Sequence, residues 1–442
     1  MGTLTTAMLS VTRAKRAMVG LTGIFFIQGF MAISWLPRIP EIIENLNVQF
    51  ATWGAIVGIG GLGGMLPLLF TNQLINRFGS RPLIQWSLLL GGLAIASYGF
   101  LHSPWIFFLA LLTQNLSFGV FGQTINSHSV VFQNRLGRVI LGRFHGAWSM
   151  GAATSSLLAG SLSGLVPLDW YLVVVISLAV VIALVATSQM LGPAEDGHDQ
   201  ERQRSEPVPI LKTPGYVLVL ALGLFCAVMP EATIGDWGAI LAHKAWHLPA
   251  SLQGLPYTLF GFAMIVSRLS IGRLTKRRNL SRVAQLAAIG GAVAATLAVA
   301  LGTYLSGIDP ILAIAVSGIF WVVYGLATGP QVPAYFSIAG SVPGMSTAQV
   351  MARMSLVNTL IILVIKILMG AVAQGIGVPF VFVMSILGFI GAAVISGYVN
   401  RRNKALQAAG AQAAEAAGDE RVEAFPITSP IAVIDERELE GR

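Results

Sequence analysis

The sequence predicts an all-α membrane protein of twelve transmembrane helices in two pseudo-symmetric six-helix bundles. Three observations predict it. Hydrophobic residues make up 55% of the 442-residue chain and charged residues 10%, with a mean hydropathy of +0.74; a soluble domain carries about 25% charged residues. The apolar residues fall into blocks of roughly 20, the length at which a helix crosses the hydrocarbon core. A polar, proline-containing stretch, GPAEDGHDQERQRSEPVPILKTP (192–214), separates six such blocks from six more.

Taken in order, the predicted spans are 17–36, 51–75, 83–101, 104–127, 142–164 and 168–191, then 214–240, 250–272, 283–304, 310–336, 347–374 and 379–399. They are read as helices, because the blocks are too long and too uniformly apolar for barrel strands. The first block follows Arg13, Lys15 and Arg16, is long, and lacks a small-residue cleavage pattern. It is therefore expected to be a transmembrane helix and not a signal peptide. Lys and Arg in the loops fix orientation. One side collects Arg77, Arg81, Arg135, Arg138, Arg143, Arg202, Arg204, Lys212, the run from Arg273 to Arg282, and Arg401, Arg402 and Lys404. The other side has Arg38 and Lys244. This alternation places both termini and the central loop in the cytoplasm, with the protein in the inner membrane. The formal charge of +8 is then a topology signal, and no nucleic-acid partner is expected.

The expected organisation is an N-terminal bundle over 1–191, a cytoplasmic linker over 192–213, a C-terminal bundle over 214–402 and a partly disordered tail over 403–442. The tail begins Ala-rich and helical and then becomes charged. At an offset of 200, Gly54, Gly61, Leu69, Leu74 and Arg77 pair with Gly254, Gly261, Leu269, Leu274 and Arg277, which suggests a duplication. Glycine-rich spacings such as GIGGLGG (58–64) serve close helix approach. Cys226 is the only cysteine, so no disulfide framework or cysteine metal site is expected.

Two six-helix halves joined by a cytoplasmic linker resemble the major facilitator superfamily, over about residues 17–400. The signature loop after the second helix of that superfamily is matched in NQLINRFGSR (72–81) at Leu74, Arg77, Gly79 and Arg81, with Asn72 and Asn76 where the family has glycine and aspartate. WLPRIPEI (35–42), NSHSVVFQNRLGR (126–138), FHGAWSMG (144–151) and EATIGDWGAIL (231–241) are similar to a bacterial subfamily near the fucose permeases. IKI (365–367) departs from the Gly-Pro-Pro-type stretch of those relatives. The resemblance implies a sugar–proton symporter fold, with helices 1, 4, 7 and 10 around the cavity and helices 7 and 11 as neighbours.

Glu231, Asp236 and Lys366 are the ionisable residues placed most deeply in predicted spans. Each costs about 3 kcal/mol at the bilayer centre, so such residues face the bundle interior and pair. Glu231 lies 17 residues beyond Pro214 and Lys366 lies 19 beyond Thr347, similar depths at about 1.5 Å per residue. A Glu231–Lys366 pair, or a shared cavity, is expected, with Glu231 carrying the proton. Glu231 and Asp236 are separated by about 140° on an ideal helix, so the seventh helix is expected to break at Pro230. Asp236 is expected to tie to Arg38 as an outer gate. TGPQVP (328–333) marks a second bend. Gln28, Gln114, Asn115, Asn126, Trp148, Tyr257, Trp321, Tyr324, Gln331 and Asn358 are the candidate cavity residues, because amides and aromatic faces suit a polar solute.

His128 and His145 are too few for a metal site and are expected at a loop. No phosphate-binding GxxxxGK[ST] motif occurs. The expectation is a transporter without cofactor or metal, not an enzyme. It works as a monomer in the bilayer on a small polar solute by alternating access, with proton symport. The alternative is proton-antiport efflux of drugs or metabolites; the major facilitator resemblance implies a Gly-Pro motif in the fifth helix of antiporters, and WSMGAATSSLLAGSLSG (148–164) contains no proline.

Overall fold

The computed structural model describes residues 10–136, 140–192, 213–274, 280–339, 342, 345 and 347–416. Arg138, most of the linker and the tail beyond 416 lie outside them. Helices account for the regular structure among the described residues. The first half contains α1 (Val11–Ile33), α2 (Ile39–Leu46), α3 (Phe50–Gly60), α4 (Thr71–Phe78), α5 (Ser80–Ser97), α6 (Pro104–Leu136), α7 (Leu141–Ser161) and α8 (Leu168–Thr187). The second contains α9 (Gly215–Ile240), α10 (Leu255–Leu274), α11 (Leu280–Ser306), α12 (Pro310–Thr328), α13 (Gln331–Ala339), α14 (Thr347–Gly375) and α15 (Val378–Ala416).

Eleven segments of the described residues are long and apolar enough to cross a membrane. The remaining predicted span is α7, whose Arg143, His145 and serines dilute an otherwise apolar helix. The other differences have local causes. The second span is not one helix: α3 stops at Gly60 and the chain continues through 3-10 turns at Gly61–Gly64 and Leu66–Leu69, where successive glycines and Pro67 withdraw helical preference. The predicted break at Pro230 is absent, because α9 runs through it to Ile240 and departs from α-geometry only in a wider π-turn at Leu241–Ala245. The tenth span does bend where expected, as α12 ends at Thr328 and α13 begins after Gly329 and Pro330. The helical start of the tail is a continuation of α15.

Within the first half, α1 lies along α7 and α8, and α5 packs on α6 and α8; within the second, α11 packs on α12 and α15, and α9 on α14 and α15. Lipid tails give no hydrophobic preference for helix association, so contact relies on close approach at small residues. A Cβ at Gly151 would overlap the Phe26 carbonyl oxygen and lie 2.8 Å from its carbon. One at Gly29 would do the same to Trp148, at 2.9 Å from the carbon. Arg13 binds the α8 C-terminus, donating to Gln189 O at 2.8 Å and Met190 O at 2.6 Å. In the signature loop, Gly79 joins α4 to α5 at φ +77°, a conformation that favours glycine. Arg77 lies 5.2 Å over the Phe78 ring, and Arg81 sits in the first turn of α5. Trp105 and Trp170 are 78% and 63% exposed near helix starts, the placement of an interfacial aromatic belt.

The halves meet mainly along two helix pairs, α3 with α14 and α7 with α10, with a smaller contact of α2 on α9. Gly54 faces Gly370, with a Cβ on either meeting the other's Cα at 2.7–2.8 Å. Gly160 faces Gly254, and Ser156 Oγ lies 2.8 Å from Thr258 Oγ1. Phe50 N donates to Gln374 Oε1 at 3.1 Å. These contacts form a seal toward the end of the bundle opposite the start of α1 and the end of α15.

Candidate functional site

Below the seal, on the side of the chain ends, lies a cavity of about 650 Å³ between the halves. Gln28 of α1, Phe121 and Asn126 of α6, and His145 and Trp148 of α7 line it from the first half; Arg268 of α10 and Pro333 of α13 line it from the second. Trp148 and Ser149 continue into a narrow neck walled by Tyr257 and Thr258, directly under the seal. Four of the ten candidate residues therefore reach the cavity or its neck: Gln28, Asn126, Trp148 and Tyr257.

The other six stand off this wall, five of them engaged with neighbouring helices. The Tyr98 hydroxyl donates to Gln114 Oε1 inside the first half. Asn115 donates to Gly60 O at 3.1 Å, holding the carbonyl left where α3 ends. Trp321 is buried among Trp246, Tyr324 and Phe382. Gln331 donates to Ala284 O and Ala327 O, both at 3.0 Å. Asn358 is half-buried on α14, outside the cavity lining. The Tyr324 hydroxyl is buried, donates to Pro230 O at 2.8 Å and contacts Ser385. Tyr324→Phe is expected to lower stability by about 1 kcal/mol while leaving solute affinity unchanged, measured by thermal unfolding alongside ligand titration.

Glu231, Asp236 and Lys366 take part in two ion pairs, but not the predicted ones. Glu231 Oε2 accepts from Arg268 Nη2 at 3.2 Å, with both side chains a little over a quarter exposed. Asp236 Oδ2 lies 2.7 Å from Lys366 Nζ. Helices 7 and 11, here α9 and α14, are neighbours as expected. The expected Glu231–Lys366 partnership fails because α9 stays helical through Pro230. The five-residue spacing then holds its two acids about 140° apart, so Glu231 turns to α10 and Asp236 to α14. The pairs are also offset by about 7.5 Å along α9. Asp236–Lys366 sits at seal level, where a Cβ on Gly54 would lie 2.9 Å from Lys366 O; Glu231–Arg268 sits at cavity level.

The predicted Arg38–Asp236 gate is likewise corrected. Arg38 is 1% exposed and belongs to the first half. A 3-10 turn at Leu36–Arg38 leads directly into α2 and sets Arg38 against Glu41. Arg38 also donates to Val166 O at 2.9 Å and lies 5.2 Å over the Tyr171 ring. The tie across the halves is made by Glu44, whose Oε1 is 2.8 Å from Lys244 Nζ and 2.9 Å from His243 Nε2. Sequence reasoning missed Arg268, which falls inside the predicted span 250–272 but is not among the candidate residues; it sits near the end of α10. It also missed His145 as a cavity residue. His128, by contrast, is buried and lies 2.7 Å from Ser80 Oγ, joining α6 to α5.

This geometry, two helix bundles closing over a central cavity, can be set beside known proteins. The family model described as Major Facilitator Superfamily matches residues 21–361. The chain belongs to the Major Facilitator Superfamily. It is a multi-pass membrane transporter of that family and not an enzyme. It is 23% identical over 356 residues to an uncharacterized MFS-type transporter of Yersinia pestis, covering 79% of this chain and 87% of that protein. An uncharacterized transporter of Sinorhizobium fredii is 24% identical over 290 residues, 65% of this chain and 74% of that one. Among solved structures, a mutant of the nucleoside transporter NupG superposes with a TM-score of 0.69 at 14% identity, over 86% of this chain and 98% of that chain. A bacterial homologue of the human lysosomal transporter Spinster, in an inward-facing and occupied conformation, gives 0.69 at 14% identity, over 89% and 98%. These structural likenesses concern the fold. The major facilitator resemblance of the sequence motifs is thereby established at the level of the superfamily.

Proposed function

We propose that this superfamily member is a secondary transporter that moves a small polar organic solute by alternating access and proton symport, with Glu231 as the proton carrier. The observation that carries this reading is the Glu231–Arg268 pair, partly exposed and with its arginine on the cavity wall. A carboxylate at membrane depth is expensive unless it has a role or a partner. A proton can replace Arg268 as that partner. Gln28, Asn126 and Trp148 supply hydrogen bonds and a stacking face for the solute. The glycine seal and the Glu44 tie support an assignment of this conformation as open toward the side of the chain ends. The Lys and Arg distribution supports that side as cytoplasmic and the host membrane as the inner membrane, with the monomer as the working unit.

Purified protein is screened by thermal shift against neutral and anionic polar solutes, since binding stabilises by roughly RT ln(1 + [L]/Kd). Accumulation of each stabilising solute in proteoliposomes is then measured with and without an inward proton gradient. The gradient is expected to drive accumulation in the native protein. Glu231→Gln is expected to lose that drive while still exchanging solute across the membrane. Gradient-driven accumulation that survives Glu231→Gln refutes the carrier role.

A further inference from the structure

We infer that the cavity is built for an organic monoanion, a carboxylate with a planar or apolar body, which takes Arg268 from Glu231. The inference rests on the symport reading above and names its substrate class. Two features of the cavity point to it. First, its lining residues include no Asp or Glu, whereas Arg268 faces it from one half and His145 from the other. Arg268 thus puts a cation on the wall, while its partner Glu231 lies off the lining. Second, Arg268 is held by one recorded bond to Glu231, 3.2 Å long. A guanidinium has five donors in a planar fork that matches a carboxylate in two-pronged fashion. A ligand carboxylate can therefore bind Arg268 better than Glu231 does. One fixed cation suits a single negative charge; Phe121 and Trp148 suit the flat or apolar remainder, and Gln28 and Asn126 its polar substituents.

Coupling follows from competition for one guanidinium. When the anion binds Arg268, Glu231 loses its partner while still partly buried, and it takes one proton from cavity water. Anion and proton then cross as a load of zero net charge. When the anion leaves, Arg268 returns to Glu231 and the proton is released. The titratable groups around Glu231 are Arg268 and Tyr257 of α10 and Tyr324 of α12, with the Asp236–Lys366 pair beyond on α9 and α14, and His145 opposite on α7. Of these, only Arg268 bonds Glu231 among the recorded contacts.

The test is binding of matched pairs to the full-length protein: nicotinate against nicotinamide, benzoate against benzamide, and gluconate against sorbitol, from pH 5 to 8. At least one carboxylate is expected to bind tenfold or more tightly than its neutral partner. Glu231→Gln is expected to tighten that binding at pH 8 by about 5- to 150-fold, the usual range of site-to-site coupling, and to flatten its pH dependence. Arg268→Gln is expected to abolish the preference, and Arg268→Lys, which keeps the charge, to retain part of it. Equal binding of neutral partners, no binding by any carboxylate, or an unchanged affinity in Glu231→Gln each overturns the inference. If neutral solutes nevertheless accumulate on a proton gradient in a Glu231-dependent way, the symport reading stands and the anion assignment alone falls. If no solute of either kind accumulates, the symport reading falls as well.

Discussion

Gly151→Ala is expected to leave little folded protein, whereas Gly54→Ala folds normally and shifts the transporter toward its other conformation. Both substitutions add one methyl group at a helix crossing, and both meet backbone, which cannot rotate away. At Gly151 the new carbon overlaps Phe26 O and lies 3.0 Å from Phe30 N. α1 and α7 belong to the same half and touch along much of their length, so relief requires the bundle itself to come apart. Overpacking costs typically 1–3 kcal/mol and sometimes more; with backbone on both sides, about 3 kcal/mol is expected here. At Gly54 the new carbon lies 2.7 Å from Gly370 Cα and 2.9 Å from Lys366 O. That contact joins the two halves, and the halves relieve it by parting. The checks are thermal unfolding for Gly151→Ala and, for Gly54→Ala, thiol labelling of a cysteine placed at Phe50 in a Cys226→Ala background. A melting temperature within about 1 °C of native for Gly151→Ala, or unchanged labelling for Gly54→Ala, contradicts this assignment of the two crossings.

Lys366→Ala is expected to abolish transport and to destabilise the protein by about 2 kcal/mol, whereas Lys366→Met with Asp236→Asn recovers most of the stability. Asp236 is only 9% exposed, and its recorded ion partner is Lys366 at 2.7 Å. Removing one member of a buried pair strands the other charge and costs about 3–5 kcal/mol, while replacing both is often neutral. The lysine side chain is 23% exposed, which places the single substitution below that range. A double-mutant cycle on melting temperature measures the coupling. Strict additivity of the two single changes would mean that the observed pair contributes nothing.

The helices were legible in the sequence because block length and apolarity are properties of each segment alone. The bend at Gly329–Pro330 was legible for the same reason: local chemistry decides it. The partners of Glu231 and Asp236 were not, since they depend on which neighbour each face of α9 meets. An α9 that stays helical through Pro230 changes the expected assignment without changing any residue type. Arg268 escaped notice because a charge near a predicted helix end looks solvated; its pairing with Glu231 and its place on the cavity wall depend on which helices face each other. Glu41 intercepts Arg38 through a 3-10 turn whose geometry the letters LPR do not announce. Six of the ten polar and aromatic candidates lie off the cavity wall because amides and phenols between helices look, in sequence, like those facing solute.

Glu231, Arg268, Asp236 and Lys366 all come from the second half, while the first half offers the cavity amides, aromatic faces and a histidine. On the symport reading proposed above, work is divided between the two halves: one would hold the ion-handling apparatus, while the other mainly gives the chamber its contour. Lineages could then exchange cargo by altering Gln28, Phe121 or Asn126 without retuning how the carrier is energised.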